Sequence, residues 1–138
     1  MKIVYLNTPI YDYLTATLIE GLTQNGNEVY CAENSNYGVS FPEKELLKQA
    51  ENADIIIIGS NQGVKYNLLD KIINPQKVYV DGSDFQILEN PEISARLIFK
   101  REYNSRLYGP NKTVYPLPFG AEKRFSGGGG GVVPLPEI

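Results

Sequence analysis

Asp54-Ile55-Ile56-Ile57-Ile58-Gly59 decides the fold. Four β-branched residues in a row suit a strand buried on both faces, the pattern of a central parallel strand. An amphipathic helix cannot be drawn through the run, and it is far too short to cross a membrane. Working outward, similar short strands recur with helical spacing between them. Lys2–Asn7 (KIVYLN), Glu28–Ala32 (EVYCA) and Lys77–Val80 (KVYV) read as strands. Between the first two, Tyr11–Asn25 places Leu14, Leu18, Ile19 and Leu22 on one helical face, and Asn25-Gly26-Asn27 supplies its stop. A second helix is predicted to open with Pro42 in its first turn, followed by Glu43 and Glu45, and to bury Leu46, Leu47 and Ala50. A third is predicted over Gln62–Ile73, burying Val64, Leu68, Leu69, Ile72 and Ile73, capped by Ser60-Asn61 and stopped by Asn74-Pro75.

Residues 1–84 thus alternate β-α-β-α-β-α-β. That alternation implies right-handed crossovers and a parallel sheet. The expected fold class is α/β, a three-layer sandwich of Rossmann-like or flavodoxin-like type, with the strand order left open. The second half is less regular. A short helical stretch is predicted at Glu92–Arg96, a strand at Leu97–Phe99, a loop at Tyr103–Lys112 and an edge strand at Thr113–Leu117, since Pro116 and Pro118 exclude a central position. One domain over residues 1–125 is expected, then a Gly/Pro-rich tail, 126–138, with five glycines at 127–131. Val132-Val133-Pro134-Leu135-Pro136 echoes Val114-Tyr115-Pro116-Leu117-Pro118, too briefly to be a structural repeat.

Composition narrows the chemistry. The chain has 138 residues, 42% of them hydrophobic, and a net charge of −3. No basic surface for nucleic acid is expected, and no membrane segment or secretory leader is visible. A single cysteine, Cys31, cannot form an internal disulfide and fits a reducing cytoplasm. Histidine is absent, which removes the Ser-His and Cys-His pairs and any histidine metal site. Neither a G-x-G-x-x-G nor a phosphate-loop sequence is present. No metal or cofactor is predicted.

In open parallel sheets, ligands bind beyond the carboxyl ends of the strands. That logic selects four loops, Asn7–Tyr11 after the first strand, Glu33–Tyr37 after the second, Ser60–Gly63 after the third and Asp81-Gly82-Ser83-Asp84 after the fourth, with Asn7, Ser60 and Asn61 as candidate ligand contacts. Asn7, Ser60 and Asn61 also suit helix caps, and Asp81–Asp84 suits a plain turn. Asp81 and Asp84 are the candidate catalytic or hydroxyl-binding carboxylates, and Ser83 lies between them. Lys100-Arg101-Glu102 follows an apolar run, so it can be drawn to a strand end, where an arginine can fork onto a carboxylate or phosphate.

Three stretches in order carry a resemblance: Val80-Asp81-Gly82-Ser83-Asp84, Phe99-Lys100-Arg101-Glu102-Tyr103 and Pro116-Leu117-Pro118-Phe119-Gly120-Ala121-Glu122. Over roughly residues 2–125 the chain resembles the amino-terminal Rossmann-like domain of bacterial GT-B type glycosyltransferase-like proteins. The resemblance implies the acceptor side of a transferase cleft, a sugar or nucleotide-sugar ligand, and a partner domain that binds the donor. The chain ends near the point where the hinge to that domain would begin, so catalysis by these residues alone is not expected. The alternative is a non-catalytic flavodoxin-like binding or interaction module. A homo-oligomer is a further expectation.

Overall fold

The computed structural model describes residues 1–32, 40–61, 63–109 and 113–117. Its centre is a sheet ordered β2-β1-β3-β5-β6-β7. The strands are β1 (Lys2–Leu6), β2 (Glu28–Cys31), β3 (Ile55–Asn61), β5 (Lys77–Asp81), β6 (Leu97–Lys100) and β7 (Val114–Pro116), all parallel to their neighbours. A two-residue strand β4 (Val64–Lys65) folds back antiparallel on the end of β3. The four isoleucines pair with β1 on one side and β5 on the other, which is the central position their composition demands.

Helices α1 (Tyr13–Gln24) and α2 (Glu43–Ala50) lie on opposite faces. Alternation along each strand sorts the core accordingly. Ile3, Tyr5, Ile57 and Val80 face α1 and pack with Leu14, Leu18, Ile19 and Leu22. Val4, Leu6, Ile56, Ile58, Tyr79 and Ile98 face α2 and pack with Leu46 and Ala50. Each fully buried aliphatic side chain contributes about 1.5–3 kcal/mol. The three-layer α/β sandwich expected from the sequence is therefore the fold.

The order of the first five parallel strands is the flavodoxin order. One detail leans toward the Rossmann order. Glu28 N–H donates to Met1 O on the β1 side, so Cys31 turns its carbonyl to the outer edge of β2. There it accepts from Phe41 N–H at 2.8 Å, and Ala32 and Phe41 form a single parallel bridge. That bridge occupies the place of a further strand beyond β2.

Several local expectations are corrected. The third helix does not form across the described residues 63–73. Asn61 pairs with Val64 and Ser60 with Lys65, Gly63 takes φ +76°, and only a 3₁₀ turn at Asn67–Lys71 follows. Leu68 and Ile72 are buried as expected, but Ile73 is 95% exposed. Ser60 and Asn61 continue β3 rather than capping a helix, because Ser60 still has a partner across the ladder in Asp81. Pro42 stands at the N-cap with ψ 156°, one residue before the helix. The cap of α1 is Asp12, which accepts Thr15 N–H at 2.9 Å, so Asn7-Thr8 is not the capping group. Glu92–Arg96 is not helical. Within the expected loop after Tyr103, Ser105–Tyr108 makes one helical turn, α3, capped by Asn104. The expected strand at Leu97–Phe99 forms and extends to Lys100. The expected tail, 126–138, the echoed Val132–Pro136 and the candidate loop Glu33–Tyr37 lie outside the described residues.

Candidate functional site at the carboxyl ends of the strands

The carboxyl ends of β5 and β6 meet in one row: Asp81 is in register with Lys100, and Lys100 with Pro116 of β7. Both charged side chains turn to the α2 face and both are 0% exposed. Lys100 Nζ donates to Asp81 Oδ1 at 3.3 Å, to Ser83 Oγ at 2.9 Å and to Ser83 O at 3.4 Å. Its three protons are thus all placed. Asp81 collects donors on both oxygens. Oδ1 accepts Ser83 N–H at 2.9 Å, and Oδ2 accepts Glu89 N–H at 2.9 Å and the Tyr79 hydroxyl at 3.3 Å. Burying two ions is costly, and only a set of bonds this complete offsets the cost.

One carboxylate therefore holds both ends of a loop, at Ser83 and at Glu89. Between those anchors the chain turns outward. Asp84 pairs with Arg101 at the surface, and its side chain remains 80% exposed. Gln86 is fixed through Asn104 Nδ2, which donates to its side chain at 3.0 Å, and through the Tyr108 hydroxyl, which donates to its carbonyl at 2.6 Å. Phe85 and Ile87 stand in solvent, 63% and 67% exposed, on this tethered frame. Glu102 is also exposed at the same strand end.

The neighbouring end of β3 carries a second network. Ser60 Oγ donates to Glu89 Oε2 at 2.9 Å and accepts from Asn90 Nδ2 at 2.6 Å. Gly63 N–H donates to Glu89 Oε1 at 2.5 Å. Burial pushes the Tyr79 hydroxyl up to about 12; hydrogen bonding to Ser60 pulls it down and the Asp81 charge adds to the rise.

Of the residues singled out by fold logic, the structure brings Ser60, Asp81, Ser83 and Lys100 together, with Asp84 and Arg101 on the rim. Asn61, the last residue of β3, is half-buried in the β4 hairpin. Asn7 is spent elsewhere: its Oδ1 accepts Ala32 N–H at 2.9 Å and its Nδ2 donates to Thr8 O at 3.2 Å, tying the end of β1 to β2. Gly63 closes the candidate loop Ser60–Gly63, whereas Tyr79, Glu89 and Asn90 are not among the site residues expected from the sequence. Tyr79 was legible, since alternation in Lys77–Asp81 puts it on the face of Asp81. Nothing in the local sequence marks Glu89.

Two surface grooves of about 330 and 480 Å³ lie away from this end. One sits by Ile55, Val78 and Leu97, the other by Leu47, Ile72 and Pro75. Among the described residues no group of three or more Cys, Asp or Glu side chains is placed to hold a metal ion, and no helix is long and apolar enough to cross a membrane.

No family model, curated protein or solved structure matches this chain. Function has to be argued from the site itself.

Proposed function

We propose that this domain is the acceptor side of a glycosyltransferase-like cleft and binds a sugar at the carboxyl ends of its strands. One observation carries the reading. The described parts of the three stretches behind the family resemblance, 80–84, 99–103 and 116–117, meet at the ends of adjacent strands, with Asp81, Lys100 and Pro116 in one row; 118–122 lie outside the described residues. That row sets the shape of the rim. Asp84, Glu102 and Gln86 offer groups for sugar hydroxyls, and Phe85 offers a flat apolar face for a pyranose ring.

In this reading the two candidate carboxylates have different tasks, in keeping with their burial. Asp81 has no free lone pair directed to solvent, so its work is to position the loop. Asp84 is the group that reaches a ligand and is the candidate general base; its bond to Arg101 breaks at little cost at the surface. Donor binding and the leaving diphosphate are left to a second domain.

A glycan array followed by calorimetry on the hits tests this. Sugars should bind the domain, and Asp84→Ala and Phe85→Ala should each weaken binding at least fivefold. A folded protein that retains no glycan would overturn it. The flavodoxin strand order favours a second reading, a non-catalytic binding module. Flavin or nucleotide binding without any glycan binding would select it.

A further inference from the structure

Glu89 sits in a cradle that its own carboxylate fills. Two donors converge on its two oxygens: the Ser60 hydroxyl on Oε2 and Gly63 N–H on Oε1. Both donors are preset. Asn90 Nδ2 donates into Ser60 Oγ, and the serine hydroxyl donates to Glu89 Oε2. Gly63 has φ +76°, a backbone state that side-chain-bearing residues rarely adopt, and the hairpin pairs Asn61–Val64 and Ser60–Lys65 hold it there. The Glu89 backbone is held separately, through its N–H on Asp81 Oδ2, so the side chain can leave without releasing the loop.

A hydroxyl and a backbone N–H aimed at two oxygens of one anion form the elementary unit of carboxylate and phosphate recognition. The unit lies at the end of β3, beside the β1/β3 switch in strand order where sheets of this topology take ligands. Exchanging the Glu89 carboxylate for a ligand carboxylate replaces one two-oxygen anion by another of the same charge; a phosphate brings a larger negative charge to the same donors.

We infer that Ser60 and Gly63 form an anion site for a ligand carboxylate or phosphate, and that Glu89 occupies it as an internal competitor. The site does not depend on the sugar reading: it uses other residues and needs only an anionic oxygen pair. It stays closed at low ligand concentration, because the tethered glutamate has a high effective concentration at the donors.

The test uses the full chain and two probes, acetate and inorganic phosphate, followed by the Gly63 amide resonance in two-dimensional ¹⁵N NMR. In Glu89→Ala, at least one probe should move Gly63 saturably and bind at least tenfold more tightly than in wild type. Adding Ser60→Ala to that variant should abolish the gain. The better probe tells a carboxylate ligand from a phosphate ligand. Glu89→Gln keeps the side-chain bulk and should show a smaller gain; it serves if the alanine variant does not fold. A folded Glu89→Ala or Glu89→Gln protein whose Gly63 amide responds to neither probe overturns the inference, as does equal binding by wild type. Loss of glycan binding with retained anion binding would refute the sugar reading alone.

Discussion

Replacing Lys100 by methionine keeps the length and apolar stem of the side chain and removes only the ammonium. Asp81 would then be a fully buried carboxylate without its counter-ion, although Ser83 N–H, Glu89 N–H and the Tyr79 hydroxyl still bond to it. Breaking one partner of such a pair costs about 3–5 kcal/mol. Ser83 Oγ and O also lose a donor, so the upper part of that range applies. For a domain of this size the melting temperature should fall by roughly 10–20 °C. The second half of the cycle is more telling. An ordinary buried pair is restored when both ions become apolar, but here Asp81→Leu/Lys100→Met orphans the Ser83 and Glu89 amides. Each orphaned amide costs about 1–3 kcal/mol, so the double variant should remain at least about 2 kcal/mol below wild type. Urea unfolding at constant slope measures both values. A Lys100→Met loss under about 1 kcal/mol, or a double variant as stable as wild type, would refute the view that Asp81 holds the loop.

Asn7→Ala should cost about 1–3 kcal/mol, because the buried Ala32 amide loses its acceptor; Asn7→Asp, which keeps an acceptor, should cost less, read by the same unfolding curves. Gly82→Ala places a methyl 2.8 Å from Leu14 Cδ2 and 3.3 Å from Ser60 O. Leu14 can rotate but the carbonyl cannot, so a loss of about 1–2 kcal/mol is expected in calorimetry. Tyr79, raised to about 12, binds its proton more tightly folded than unfolded. Its contribution to stability is therefore complete below about pH 10, the ordinary tyrosine value, and lost as pH climbs through about 12. Ultraviolet titration should show a late-ionising tyrosine that Tyr79→Phe removes.

The strands were the legible part, for physical reasons. Ile55–Ile58 and the short β-branched runs around it are stiff at χ1 and have no helical stripe, so pattern and propensity agree. The segment 62–73 misled because Leu68 and Ile72 keep helical spacing. Both are buried without an α-helix, Leu68 from the 3₁₀ turn and Ile72 from the extended residue after it, while Gly63 and Val64 belong to a hairpin. Asp81 and Lys100 could be nominated as strand-end residues, yet their mutual burial depends on register between β5 and β6, which pattern alone does not specify. Glu89 was invisible because its role arises only when the loop folds back over the end of β3.

The single carboxylate that grips the chain at two points also divides labour along it. Residues 84–87 hang between fixed posts with their side chains exposed, whereas Leu88 packs against the core. Recognition can therefore drift in that interval with little penalty in folding, and a graft of four foreign residues there would inherit a ready-made mount.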